Sequence, residues 1–303
     1  VFRFLTLTFS CAGFLAAAVM ADPVQPHFEV GTSFVWGDTT ELVLRDGTYN
    51  NPVSRLVWPI PPSLEVDLSV EWPWTTLTST TVALSATFPL ASGTMVDEDW
   101  TTTFANGNPL YYGRSESQAD MTSDWSARAE QNFFWNQFRF SVGGIYRWTS
   151  WQAWNATGYY YSTSASTATN YDYQGLIVSY QQQWLIPYLG IAWTWKNSGW
   201  QMTPSVRFSP YTWCFDLDNH FYPGSAAGSF FDNTQGGIYG QAALEAEFSG
   251  GPGWTWGIRG GWEAAWGSIG DTTLVTSGKT EETSANSAGA WFQETSLTIF
   301  IRN

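Results

Sequence analysis

The chain has 303 residues, with 26 Asp plus Glu against 12 Lys plus Arg and a net charge of −14. That balance excludes nucleic acid as a partner, because phosphate binding needs clustered Lys and Arg, and it favours cationic partners. There are 20 Trp, 14 Tyr and 20 Phe, yet the mean hydropathy is only −0.19. An ordinary globular core does not look like this, whereas a membrane barrel, with alternating apolar and polar residues and aromatic girdles, accounts for both facts.

Residues 1–21 read as a signal peptide. Arg3 supplies the positive start, 4–20 is mostly apolar, and Val19-Met20-Ala21 offers small residues before a cut. The run is too short for a membrane helix. A single domain is expected over 22–303. Cys11 falls in the signal, which leaves Cys214 without a disulfide partner, read as a small buried or lipid-facing residue.

The strands follow in order. Phe28, Val30, Phe34 and Trp36 alternate with Glu29, Gly31 and Ser33. From Leu56 to Trp72 the even positions are apolar, against Arg55, Ser63, Glu65, Asp67 and Glu71. Phe138, Phe140, Val142, Tyr146 and Trp148 alternate with Arg139, Ser141 and Arg147. Ile238 to Phe248 and Trp254 to Trp266 repeat the pattern. Period two marks strands with one apolar and one polar face. Short breaks at 73–75, 132–137, 196–199 and 249–253 alternate with long ones at 45–52, 91–124, 150–173, 214–235 and 267–289. The fold expected is all-β: a ten-stranded antiparallel transmembrane β-barrel with long extracellular loops and short periplasmic turns. Several strands exceed the roughly 9–11 residues that cross a bilayer, so the barrel should stand clear of it on the loop side. A soluble sandwich would rarely put Trp at so many outward sites. The repeated Gly-Asp-Thr-Thr at 37–40 and 270–273 reads as shared turn chemistry.

Two acidic motifs carry the candidate chemistry. Asp97 and Asp99 sit in Met95-Val96-Asp97-Glu98-Asp99-Trp100, and Asp218 and His220 in Asp216-Leu217-Asp218-Asn219-His220. If strand conformation persists there, residues two apart share a face. A histidine held by a carboxylate is a proton acceptor near neutral pH, and two close carboxylates raise each other's pKa. Together they suit attack of an activated water on an amide. From the residues alone, Asp-x-Asp on a surface loop is more often a solvated turn or a Ca²⁺ ligand pair than catalytic, and Asp216-Leu217-Asp218-Asn219 would serve a hard cation equally well. His27 is given no functional role.

These motifs resemble those of the omptins, outer-membrane endopeptidases with ten strands, and a weaker likeness, including Pro187-Tyr188-Leu189-Gly190, runs over nearly the whole mature chain. The resemblance implies two catalytic couples, Asp97 with Asp99 and Asp218 with His220, sharing a nucleophilic water. It implies an S1 pocket for Arg or Lys made by Glu41 and Asp216, with Met95 and Val178 lining the S1′ side. Basic peptides or proteins as substrates, outer-membrane lipid as surroundings and an active site facing the exterior follow from it, with no cofactor and no metal. The family's activation by lipopolysaccharide uses basic residues. Here the corresponding positions are Ser150, Gln183 and the Asn233-Thr234 region, so lipid A phosphates lack charge partners. The alternatives to an enzyme are an inactive adhesin or receptor using aromatic loops such as 151–161, and a passive pore.

Overall fold

The computed structural model describes residues 25–45, 47–49, 52–101, 111–162, 168–221, 228–251, 253–276 and 282–303. The expected signal peptide lies outside them. The strands are β1 (His27–Leu44), β2 (Pro52–Thr75), β3 (Thr78–Pro89), β4 (Gly93–Thr101), β5 (Tyr111–Trp135), β6 (Phe138–Ser162), β7 (Ala168–Asp172), β8 (Leu176–Trp193), β9 (Trp195–Asn197), β10 (Trp200–His220), β11 (Gly228–Gly251), β12 (Trp254–Thr276) and β13 (Glu282–Arg302).

All neighbours pair antiparallel, and the ring closes because β1 pairs with both β2 and β13. β3 and β4 are the lower and upper halves of one stave between β2 and β5. β7, β8 and β9 are successive pieces of another, between β6 and β10. The wall therefore has the ten staves that the sequence predicts. Tight turns gather at one end, where Asn136 (φ 54°) and Gly199 (φ 85°) supply the left-handed residues that short hairpins need. His27 lies at that end too, its Nδ1 3.0 Å from the Asn303 carbonyl oxygen, which is a structural role.

At the other end the expected long loops are mostly strand. Among the described residues, 93–101 of β4 pair with 111–119 of β5, 157–161 of β6 with 168–172 of β7, and 213–220 of β10 with 228–235 of β11. Ser, Thr and Tyr form ladders readily when cross-strand partners are at hand. What ends near the bilayer is the apolar alternation, not the strand.

Outward side chains in the lower part form an apolar belt, with Phe28, Val30, Leu64, Leu68, Trp256 and Trp262 among those exposed. Water would not tolerate so wide a patch, and the hydrocarbon of a bilayer would cover it. β2 corrects the simple alternation. Leu64, Val66 and Leu68 face out, but Leu56, Trp58 and Ile60, also even-numbered, are buried inside. The β1–β2 register slips by one residue between Val35 and Gly37, opposite Pro61-Pro62. Two prolines bring no N–H to the ladder, and the resulting bulge exchanges inside for outside. Above it the barrel packs an apolar interior, as a protein in water must.

The lower lumen is filled with charge. Arg147 pairs with Asp124, Glu263 and Glu294, Arg207 with Glu130, and Arg259 and Arg302 with Glu29 and Glu245. They surround a polar cavity of about 200 Å³, a plugged lumen rather than a wide pore. Cys214 is buried and free, as expected. The Gly-Asp-Thr-Thr segments lie inside β1 and β12, not in turns. What they share is close strand approach: a Cβ would come within 2.0 Å of the Gln293 carbonyl oxygen at Gly37, and within 1.8 Å of that of Asn233 at Gly270.

Candidate active site

The site lies above the apolar belt, on the upper ends of β1, β2, β4, β8, β10 and β11. Strand conformation continues through Asp97-Glu98-Asp99 on β4 and Asp216 to His220 on β10, so the period-two expectation applies to both. Leu56 is paired with Glu41 on one side and Asp97 on the other, which sets these three in one inward row. On the facing wall Val178 pairs with His220, Tyr180 with Asp218 and Gln182 with Asp216.

An apolar floor closes the barrel beneath. Trp58 stacks on Tyr180 at 5.1 Å and packs against Trp151 at 6.0 Å. Met95, Leu56 and Val178 belong to the same buried cluster. Gln182 ties the walls together: its Oε1 accepts from Thr39 Oγ1 of β1 at 2.5 Å and from Trp184 Nε1 at 2.9 Å, and its Nε2 donates to the Tyr180 hydroxyl at 2.7 Å.

His220 Nε2 lies 2.5 Å from Asp218 Oδ2, with Asp218 2% exposed and the imidazole 23% exposed at the side chain. Phe230 meets the ring edge-on at 5.2 Å. Burial works to lower the His220 pKa, but the charge and hydrogen bond of Asp218, with Asp97 and Asp99 opposite, raise it above 6.5. Asp97 is pushed up to about 8, by burial first and then by the charge of Asp99, with His220 opposing. Asp99, half-buried, is raised by burial, against a hydrogen bond from Ser54 and the charge of His220. The two couples thus act on each other electrostatically across the lumen.

Glu41 and Asp216 are brought together as well, and a third carboxylate joins them. Asp232 on β11 is the direct cross-strand partner of Asp216. Oxygens of all three residues lie within 4.8 Å of one another. Burial and mutual repulsion raise Glu41 and Asp216 well above the usual range, and bring Asp232 to about 7. Asp232 belongs to no motif; only the β10–β11 register, unread from sequence, could have placed it. Glu98 was also missed. It points outward between Asp97 and Asp99 and accepts from Arg55 Nε at 3.1 Å, Arg114 Nη1 at 3.2 Å and the Tyr112 hydroxyl at 3.0 Å. Those bonds fasten β4 to β2 and β5 and so hold the Asp97 and Asp99 backbone.

Of the positions compared for lipid binding, Ser150, Gln183 and Asn233 carry no charge, while Thr234 is buried with its hydroxyl on the Cys214 carbonyl at 3.4 Å.

A closed ring of ten staves with an apolar belt and a polar, plugged lumen is the class of the bacterial outer-membrane barrels. Within it the chain belongs to the omptin family, whose family model matches residues 24–302, and it is therefore an outer-membrane protease. Among solved structures it is similar to the outer-membrane protease OmpT from Escherichia coli, with 19% identity and a TM-score of 0.79 over 93% of this chain and 97% of that one. A weaker likeness, TM-score 0.39 and 8% identity over 92% of this chain and 88% of the other, is to the translocator domain of the autotransporter NalP from Neisseria meningitidis. No curated protein sequence matches.

Proposed function

We propose that the protein is an endopeptidase that cleaves beside Arg or Lys, using a water activated by His220 and Asp218 and held against Asp97 and Asp99. The observation that carries this reading is the Asp218–His220 pair acting across the barrel rim on two raised carboxyls. Asp218 engages Nε2, and the imidazole would take the water's proton. The hydroxide formed attacks the peptide carbonyl. Asp97, protonated near neutral pH, would donate to the oxygen that becomes negative. On collapse the imidazolium gives its proton to the departing amine, and the C–N bond breaks. Asp218 orients the ring and stabilises its charged form.

A basic P1 side chain would enter the pocket of Glu41, Asp216 and Asp232, whose carboxylates would exchange shared protons for a guanidinium or ammonium group. Met95 and Val178 would face the residue after the cut. The active site is taken to open to the cell exterior, with the leader cut after Ala21. Digestion of a mixed peptide library, read by mass spectrometry, tests both parts. Cuts should fall beside Arg or Lys, and kcat/KM should drop as salt rises, since surface charge captures the substrate. Cuts without basic preference, or no salt response, would count against the acidic pocket.

The pH profile follows from the shifts. As the general base, His220 must be neutral, and its pKa is raised, so kcat/KM should climb with pH through a midpoint above 6.5. Removing the Asp99 charge in Asp99→Asn lowers the histidine pKa, so the residual activity should move its limb to lower pH. A wild-type midpoint below 6.5, or a limb that moves the other way, contradicts the assignment.

With no basic outer-wall cluster at the compared positions, activity should be the same in lipopolysaccharide-free detergent as after lipopolysaccharide is added. Strong activation on addition would show that another surface supplies the phosphate contacts.

A further inference from the structure

We propose that Glu41, Asp216 and Asp232 form a divalent-cation site, and that Ca²⁺ held there competes with the basic side chain of a substrate. The cation site stands on its own geometry, and only the competition rests on the proteolytic reading above.

One oxygen from each residue can be chosen so that all lie within 4.8 Å of one another. Ligand oxygens of one Ca²⁺ ion at about 2.4 Å lie no more than about 4.8 Å from one another, so this mutual closeness is compatible with one shared ion. The ligands are on three staves, with Asp216 and Asp232 directly paired, so the site is built by the fold rather than by a loose loop.

The second observation is the state of the oxygens. Asp216 is 5% exposed and, among the described residues, neither of its oxygens has a hydrogen-bond partner; Glu41 Oε2 and Asp232 Oδ1, on residues 2% and 4% exposed, also lack one. Buried carboxylate oxygens are costly when nothing is bonded to them. In the lower lumen Arg147, Arg207, Arg259 and Arg302 meet that need. Among the described residues no arginine or lysine is ion-paired with any of the upper three. A guanidinium would bring one positive charge to three carboxylates, whereas Ca²⁺ brings two and prefers an all-oxygen shell, completed here by water.

Calorimetric titration of CaCl₂ into the folded barrel, in uncharged detergent free of lipopolysaccharide, tests the site without any need for catalysis. One ion per chain is expected, with Kd on the order of 10⁻⁴–10⁻³ M. Asp232→Asn and Glu41→Gln should each weaken it at least about tenfold, and Glu282→Gln, at an exposed carboxylate, should not. If one variant fails to fold, as judged by circular dichroism, the other decides. Weak multi-site binding unchanged by these substitutions, or no binding, overturns the site and leaves only diffuse attraction to an acidic protein. In the kinetic arm, Ca²⁺ at ten times its Kd should raise KM for an Arg-containing peptide about tenfold at constant kcat. Saturable Ca²⁺ binding with unchanged KM would overturn the competition. Ca²⁺ binding with no cleavage under any condition would overturn the proteolytic reading and leave the cation site intact.

Discussion

His220→Ala should lower kcat for an internal Arg-Arg peptide by about 10²–10⁴, with KM changed far less. The split follows from the geometry. His220 pairs with Asp218 and faces the Asp97–Asp99 couple, whereas charge recognition is assigned to Glu41, Asp216 and Asp232. Removing the ring takes away the proton acceptor and leaves the acidic pocket in place. Asp97→Ala should be similarly damaging, because both act on the same water. The double variant should lose little more than either single one, as groups working as a unit are not additive. The substitution is suited to the purpose, since the His220 side chain is 23% exposed at the rim and lies outside the apolar clusters of the barrel. Equal activity in wild type, His220→Ala and Asp97→Ala would remove the mechanism. Binding of cells that survives His220→Ala, with no peptidase activity in either form, would favour an adhesin instead.

The sequence makes the ten staves and the two couples legible for the same reason. Period two is set by the strand itself, so alternation reveals both the belt and the inward direction of Asp97 with Asp99, and of Asp218 with His220. What escapes is anything that depends on register between strands. At Pro61-Pro62 one additional residue exchanges the faces of β2, so Leu56 and Trp58 become the floor of the site although their parity matches the outward Leu64 and Val66. Alternation alone cannot report this, and the double proline was the available sign. Asp232 is invisible for a related reason: only its pairing with Asp216 across a hairpin makes it part of the pocket. The long breaks were overdrawn because composition reports exposure to water, and hairpins standing in water are still strands. The Gly-Asp-Thr-Thr repeat shows the converse. A motif rich in turn residues serves close contact between neighbouring staves, and nothing local distinguishes the two uses.

Arg147→Met should destabilise the barrel by about 3–5 kcal/mol, with the lower end favoured. The guanidinium is the shared partner of three acids on separate staves. It donates to Asp124 at 3.2 and 3.1 Å, to Glu263 at 3.3 Å and to Glu294 at 2.6 Å, with Phe292 beneath it at 5.2 Å. Asp124 and Glu294 are 5% and 7% exposed. Methionine keeps much of the apolar stem, so the main loss is the charge, and the carboxylates left behind repel one another where water is scarce. The adjoining polar cavity of about 200 Å³ allows some hydration, which is the reason for the lower end of the range. The shift would be read from urea midpoints of the refolded barrel in lipid vesicles. Arg147→Met combined with Glu294→Gln should recover part of the loss, since one uncompensated charge is then gone. A destabilisation below about 1 kcal/mol would mean that the pairs contribute little net free energy in a hydrated lumen. Catalysis separates this effect from the first. Gln182 and the Trp58–Tyr180 floor stand between Arg147 and the rim, so molecules of Arg147→Met that do fold should cleave at close to the wild-type rate. A large fall in kcat in the folded fraction would instead show that the charged lumen sets the geometry of the couples above it.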